Sequence, residues 1–282
     1  YFNVVHNSAR PFVVTLGGLM SFRGAAYLVA DGKTQPINDP FFLAIGGGIN
    51  GSLGPTLSWA LGAALVALIV WSSFARRARK RQHGFPLRPL WFDIALVVAF
   101  SSLVLAFVAT MNAYRLGSKP HGQGIPIPVV IWGVIVMVVS FIVRRTRFGR
   151  YVFAIGGNPE AAVLVGIPVR RVMIKMFLLL GALITVAAIV AVARLNAGTN
   201  SLCLNMELYV IAAAVIGGVS LSGGSGTVLG SVLGALLIQF LESGLLLMNV
   251  SIGSRMVIIG QVLIAAVVFD VVYRRYTGER IQ

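Results

Sequence analysis

The sequence has few charged side chains and few of the residue types that usually carry enzyme or metal chemistry. Among its 282 residues there are eight Asp and Glu, three His and a single Cys. One cysteine, Cys203, excludes an internal disulfide framework, and His6, His83 and His121 lack the spacing of metal ligands. Charged residues make up 11% of the chain, whereas a typical soluble domain contains roughly 25%. The composition therefore argues against a soluble enzyme and against a metal site.

Long apolar runs dominate instead. Hydrophobic side chains form 57% of the chain and the mean hydropathy is +0.89, more apolar surface than a soluble fold of this size can bury. Because about 20 apolar residues cross a bilayer core of roughly 30 Å, we predict an all-α fold, a polytopic transmembrane helix bundle with about eight spans. The sixth span is short, so we expect it to be tilted, broken or partly re-entrant. The predicted spans are residues 11–30, 55–74, 92–112, 127–143, 172–193, 207–222, 227–248 and 254–273.

The basic residues indicate membrane topology. A net charge of +15 would suggest nucleic-acid binding in a soluble protein, but sixteen of the 23 Lys and Arg lie just beyond apolar runs. Lys and Arg accumulate in cytoplasmic loops, so we place these clusters in the cytoplasm and expect no nucleic-acid partner. The clusters are residues 76–88, 144–175 and 274–280. The alternation of spans then places residues 31–54, 194–206 and 249–253 outside.

The organisation of the chain is that of one membrane domain over residues 1–282, without a long linker or a second soluble domain. The sequence starts at Tyr1 with no Met and no signal peptide, so we expect a fragment that lacks N-terminal helices of a longer protein. The predicted number of spans is then a lower bound.

A short capped helix is predicted in the cytoplasmic loop 144–171. Asn158 is a favoured N-cap residue, Pro159 suits the first helical position, and Glu160 in the first turn complements the helix dipole. Gly166 can provide the left-handed residue that ends such a helix. A helix of about two turns is unstable alone in water, so it must pack on a partner, on the bilayer or on its own bundle.

Three motifs resemble a known family. Residues 149–167, GRYVFAIGGNPEAAVLVGI, resemble the cytoplasmic motif of the permeases of ribose- and xylose-type ABC importers, which are related to the branched-chain amino acid permeases. Residues 211–226, IAAAVIGGVSLSGGSG, give a second match that continues to Gly234, and PFVVTLG at 11–17 gives a weaker third. Residues 50–120 look like an insertion of two helices, which the xylose-type branch resembles more closely.

The resemblance implies a permease subunit of the bacterial inner membrane that translocates a monosaccharide, a pentose such as xylose or ribose. It implies an ABC ATPase that binds the ATP, a periplasmic sugar-binding protein that docks on loops 31–54 and 194–206, and a second permease protomer across the pore. The chain itself would need no cofactor. Residues 156–168 would form the coupling helix. The residues expected at the ATPase contact are Gly156, Gly157, Asn158, Glu160, Ala161, Ala162 and Gly166.

The glycines of the second motif have a structural interpretation. Two pairs, at 217–218 and 223–224, fall in a predicted cytoplasmic turn, where left-handed backbone and close approach are needed. Gly226, Gly230 and Gly234 repeat every four residues, which predicts one smooth helix face for a close neighbour. We expect these glycines to pack helices rather than to contact substrate.

Ionisable residues at membrane depth are the candidates for the translocation path, because a charge at the bilayer centre costs a few kcal/mol. Arg23 and Glu242 lie deepest in the predicted spans, and Glu207 lies at the outer mouth. Structural roles are the alternative: Arg23 could bind helix carbonyls or lipid headgroups, and Glu242 could pair within the bundle. Three others lie near span ends, where snorkelling or interfacial water suffices: Asp93, Arg255 and Asp270.

Other functions find less support. An ion-coupled secondary transporter would need acidic groups near the midplane, and Glu242 alone qualifies. A membrane-embedded hydrolase would need a Ser-Lys, Asp-Asp or zinc-binding set at transmembrane depth, and the sequence has none. The run from Gly32 to Thr34 resembles the end of a phosphate loop, but Tyr27 stands where that loop requires glycine, so we predict no ATP site. A permease of the same family for another small solute is the nearest alternative.

Overall fold

The computed structural model describes residues 11–47, 51–82, 89–113, 123–220 and 223–276. Most of these residues are helical, which confirms the predicted all-α fold. The first half of the chain forms α1 (Pro11–Val29), β1 (Gln35–Pro36), α2 (Pro40–Ile45), α3 (Gly54–Gln82), α4 (Leu90–Ala113) and α5 (Ile127–Arg145). The second half forms α6 (Arg147–Gly157), α7 (Pro159–Leu164), α8 (Val169–Leu195), β2 (Ala197–Gly198), α9 (Met206–Ile216), α10 (Val228–Leu247) and α11 (Ile252–Tyr276). The histidines and some basic residues considered above lie outside the described ranges: His6, His83, Arg88, His121 and Arg280.

Five of the described helices are long and apolar enough to cross a membrane, namely the Gly54–Ala75 part of α3 together with α4, α5, α8 and α10. Three others carry shorter apolar stretches, Val13–Val29 in α1, Met206–Ile216 in α9 and Ile252–Ala266 in α11. Every predicted span therefore corresponds to an apolar helix, although three fall short of the length of a full crossing. With its 11 residues α9 measures about 16 Å, which confirms that the sixth predicted span is short.

As far as Gln82, the first basic cluster continues a helix instead of forming a loop. We predicted that the second span ends at residue 74, but α3 runs on to Gln82, because Arg and Lys are good helix formers in water. Arg77 on this extension forms an ion pair with Asp93 in the first turn of α4. Nearer the other end, Gly62 lies against the buried side chain of Val108. The two helices thus pack as an antiparallel hairpin.

Packing divides the chain into two compact units. The first unit comprises Tyr1–Lys33, Gly133–Val186 and Asn200–Gln282, and the second comprises Thr34–Trp132 and Ala187–Thr199. Composition gave no sign of this division, because long apolar helices occur in both units. The two units alternate along the chain, so neither corresponds to one continuous stretch of sequence.

Two predicted outer loops are joined within the second unit. Strands β1 and β2 pair antiparallel, and the Ile37 N–H extends the ladder by donating to the Asn196 carbonyl at 2.9 Å. β1 belongs to loop 31–54 and β2 to loop 194–206. We expected both loops to bind one docking partner, and the two paired segments of these loops lie side by side.

A buried serine joins the start of α3 to the segment before α5. Ser58 Oγ donates to the Gly54 carbonyl at 2.7 Å and accepts the Ile125 N–H at 2.8 Å, and its side chain is fully buried. The Gly54 N–H in turn donates to the Gln123 carbonyl at 3.1 Å. Gly124 has φ +77° and lies so close to Ser58 that a Cβ there would have no room. This contact joins the segment before α5 to the end of loop 31–54.

Candidate functional site

Helix α6 occupies the first half of the predicted cytoplasmic loop, where we predicted no helix. Thr146 caps it, since its hydroxyl accepts the Gly149 N–H at 3.3 Å and donates to the Ile142 carbonyl at 2.6 Å. The sequence signal for this helix was an apolar face at helical spacing. Its half-buried members are Phe148, Tyr151, Val152 and Ile155.

Helix α7 follows directly, and its N-terminus confirms the predicted cap. Asn158 Oδ1 accepts the Ala161 N–H at 2.9 Å, and Asn158 has the extended backbone of an N-cap residue. Pro159 and Glu160 occupy the first turn, where the missing N–H of proline costs nothing and the carboxylate favours the helix dipole.

Helix α7 ends at Leu164, and Gly166 provides the predicted left-handed residue after it, with φ +79°. Its N–H donates to the Val163 carbonyl at 2.9 Å, and the Ile167 N–H donates to the Ala162 carbonyl at 3.0 Å. This pair of bonds is a Schellman motif, which satisfies carbonyls that the helix leaves free. Both ends of this six-residue helix are therefore fixed by local hydrogen bonds.

The outward face of α7 is apolar. Leu164 is 87% exposed, Val165 75% and Val163 59%, with the exposed carboxylate of Glu160 one turn away. Contiguous apolar exposure of this kind marks a surface that a partner protein or the bilayer covers. Ala162, which we predicted at the ATPase contact, is 3% exposed because it faces the inside of the chain. Ala162 is therefore unavailable to a partner in this conformation.

The glycines at the end of α6 meet the turn that precedes α10. A Cβ placed on Gly156 would lie 2.6 Å from the Gly224 nitrogen, and one placed on Gly224 would lie 2.8 Å from the Gly157 Cα. Gly223 and Gly224 also have positive φ, +90° and +76°. Backbone touches backbone here, so the α6–α7 segment is in direct contact with the α9–α10 turn.

Helices α9 and α10 approach each other equally closely. Gly230 lies against the backbone of Gly217, and Gly234 lies against the Ala213 carbonyl. Gly226 lies before the helix, since Thr227 is the N-cap of α10 and its hydroxyl accepts the Gly230 N–H at 3.0 Å. Of the three glycines predicted to form one helix face, two, Gly230 and Gly234, lie on α10.

A cleft of about 670 Å³ lies between α9, α10 and α11 within the first unit. Most of its lining is apolar. Its polar lining is Tyr209 on α9, Ser231, Gln239 and Glu242 on α10, and Arg255 on α11. Leu204, from predicted outer loop 194–206, lines the same cleft, so the cleft extends to that end of the helices.

One of the three predicted path residues lines this cleft, Glu242. Glu207 is exposed in the first turn of α9, and Arg23 is half-buried on α1, and neither belongs to the lining. Arg255 does, although its position near a span end had suggested simple snorkelling. Sequence position alone could not reveal that Arg255 shares a cleft with Glu242, because the two residues belong to different helices.

Its apolar helices define the chain as a multi-pass membrane protein, and comparison with known proteins gives its family. The chain matches the family described as branched-chain amino acid transport system / permease component over residues 2–267. It is 35% identical to the xylose transport system permease protein of Haemophilus influenzae, over 95% of this chain and 68% of that protein. It is 32% identical to the Escherichia coli xylose transport system permease protein, over 96% and 66%. It is 40% identical to the Escherichia coli ribose import permease protein, over 57% and 51%.

The chain belongs to this family of transport-system permeases and is a multi-pass protein of the bacterial inner membrane. It spans 68% and 66% of the length of the two xylose-type relatives. No solved structure gives a significant match to it.

Proposed function

We propose that the chain is the permease subunit of an ATP-driven importer that translocates a monosaccharide, a pentose such as xylose or ribose, across the bacterial inner membrane. The observation that carries this proposal is α7, a doubly capped helix whose exposed face is apolar and which lies in a strongly basic segment. The functions of the relatives, xylose transport and ribose import, support the substrate class.

The proposed ATPase contact is the exposed face of α7. A helix of six residues is about 9 Å long, short enough to enter a groove on a partner. Leu164 and Val165 would bury apolar surface there, and Glu160 would meet a polar or basic rim. Since the sequence contains no complete phosphate loop, the ATP belongs to that partner in this proposal.

The route from the ATPase to the translocation path runs, in this proposal, through the glycine contact. Movement of α7 would carry Gly156 and Gly157 with it, and these residues lie against Gly223 and Gly224. The turn at 223–224 leads directly into α10, which carries Glu242. ATP-driven closure of the partner would thereby change the helices around the cleft and alternate access to it.

The remaining proposed partners follow from the outer loops and from the family. A sugar-binding protein would dock on the joined strands β1 and β2, which bring loops 31–54 and 194–206 together. A second permease protomer would complete the pore. The chain would then form one half of a symmetric pair of permease protomers.

Leu164→Glu tests the ATPase contact. The charge placed on the apolar face of α7 should release the ATPase from the purified permease while membrane insertion stays normal, because the side chain is 87% exposed. Val29→Glu is the matched control: Val29 is 89% exposed at the last residue of α1, on the predicted outer side. Retention of the ATPase by Leu164→Glu, at the level found for Val29→Glu, would contradict the proposal.

An ion-coupled transporter is the second candidate, because Glu242 lines a cleft without an ion-pair partner among the described residues. The energy source separates the two. Uptake into vesicles that contain ATP should persist when a protonophore collapses the proton gradient. Loss of uptake under that condition would favour the ion-coupled function.

A further inference from the structure

Three polar side chains of the cleft lie at one depth. Glu242 precedes the last residue of α10 by five positions, and Arg255 and Tyr209 each follow the first residue of their helices by three. At 1.5 Å per residue all three lie about 5 to 8 Å inside the predicted outer ends of their helices. Side chains from three different helices are thus grouped at one level, near the predicted outer ends of their helices.

The charged members of this group have no partner in the chain as described. Neither Glu242 nor Arg255 forms an ion pair or a side-chain hydrogen bond with any residue that the structure describes. Arg255 Nε is buried and unsatisfied. A carboxylate and a guanidinium normally find partners when they leave water, since an unpaired charge in an apolar site is costly. Here Glu242 and Arg255 both line the cleft and form no ion pair with each other.

We propose that the cleft binds the transported sugar, with the Glu242 carboxylate accepting and the Arg255 guanidinium donating hydrogen bonds to its hydroxyls, and with the ring of Tyr209 against its C–H face. The proposal rests on the transport function proposed above and assigns the binding step to named residues. Each sugar hydroxyl both donates and accepts, so a fixed acceptor and a fixed donor suit a polyol. Charge-assisted bonds of this kind are the strong ones.

The shape and charge of the cleft agree with a neutral ligand. Its volume of about 670 Å³ falls within the roughly 300–1,000 Å³ of small-molecule pockets. The charges of Glu242 and Arg255 cancel, so the cleft favours neither an anion nor a cation. The lining is largely apolar with a few convergent polar groups, the usual character of such a site. Gln239, which donates to Ser243 Oγ at 3.3 Å, adds an amide to the lining.

The test uses the complete transporter, reconstituted in liposomes with its ATPase and its binding protein, and measures uptake of radiolabelled xylose and ribose. Glu242→Gln removes the charge and keeps the side-chain size, and Arg255→Gln replaces the guanidinium with a shorter neutral amide. Each should lower uptake at limiting sugar on the order of 10-fold or more, the usual loss when a charged hydrogen bond is removed. Co-purification of the ATPase should stay at the wild-type level. Lys175→Gln, an exposed charge on α8 outside the cleft, should leave uptake unchanged.

Analogues identify which hydroxyl each residue meets. A deoxy sugar that lacks the hydroxyl bound by Arg255 should be taken up poorly by the wild type, but Arg255→Gln should lose little further with it. A purely structural Arg255 would lower the uptake of all sugars by the same factor, and that result would overturn the assignment.

The outcomes separate this proposal from the transport function. Wild-type uptake of pentose together with unchanged uptake by Glu242→Gln and Arg255→Gln would refute the sugar site and leave the importer intact. ATP-dependent uptake of leucine by the wild type, abolished in the same variants, would replace the polyol by a zwitterion. Absence of ATP-dependent pentose uptake by the wild type would remove the transport function itself. Release of the ATPase by either variant would assign the pair a structural role.

Discussion

Replacing Gly156 with alanine tests whether the coupling segment drives α10 through backbone contact. The new Cβ would lie 2.6 Å from the Gly224 nitrogen and 3.3 Å from the Gly224 Cα, so the two segments must separate. No side-chain rotation relieves the contact, because both sides are backbone. Overpacking of this kind costs about 1–3 kcal/mol, and the helix propensity gained over glycine offsets up to about 1 kcal/mol.

A net cost in the middle of this range, about 1–2 kcal/mol, lowers the equilibrium constant for the contact by about 5- to 30-fold, and the population that keeps it by up to that factor. The exposed face of α7 is unchanged, so the ATPase should still co-purify with the permease. The expected result is therefore uncoupling. In the reconstituted transporter, the amount of sugar taken up per ATP hydrolysed should fall by that factor, while ATPase binding stays at the wild-type level.

Gly181→Ala is the matched control for this prediction. Gly181 lies within α8, and a Cβ there meets nothing within 4 Å, so the variant should transport like the wild type. Full coupling in Gly156→Ala would refute the route through the glycine contact. Loss of the ATPase from Gly156→Ala would also refute it, because the substitution would then have disrupted α7 itself.

Three further substitutions test the local structure. Ser58→Ala leaves the Ile125 N–H without its acceptor and should lower the stability by about 1–3 kcal/mol, measured as an earlier thermal unfolding in detergent; an unchanged midpoint would contradict the buried contact. Asp93→Asn should cost about 1 kcal/mol or less, since the carboxylate is 36% exposed, and high salt should shrink the effect on unfolding. Asn158→Ala removes the cap of α7 at a cost of about 1 kcal/mol and should weaken ATPase binding several-fold, whereas Asn158→Asp should keep it.

Local chemistry made much of the coupling segment predictable. The caps of α7 depend on Asn158, Pro159 and Gly166, and each acts within a few residues of its own position, so spacing was sufficient. Helix α6 was not predicted, although the apolar residues at helical spacing on one of its faces indicate a helix. The burial of Ala162 was not predicted, because the sequence shows which helix residues are apolar but does not show which face turns inward.

Contacts between distant segments were beyond prediction from one sequence. The pairing of β1 with β2 joins strands of two residues each, too short to carry an alternating pattern. The meeting of Gly156 with Gly224 is a backbone contact, and glycine has no side chain to signal its neighbour. Arg255 was assigned to the membrane interface because its depth is readable from the sequence, whereas the cleft that it shares with Glu242 arises from the packing of three helices.

Helix α10 connects the coupling segment to the cleft. The glycine turn at 223–224 leads into its first residue, and Glu242 lies near its other end. Glu242 lies 14 residues after Val228, about 21 Å along the helix. A tilt of about 5° imposed at the glycine turn would therefore move Glu242 by about 2 Å. Hydrogen bonds weaken steeply over far smaller displacements, so such a tilt would break the bond from Glu242 to a bound hydroxyl. The close packing of Gly230 and Gly234 on α9 would carry Tyr209 in the same movement, and a small motion at α7 would then suffice to release the sugar.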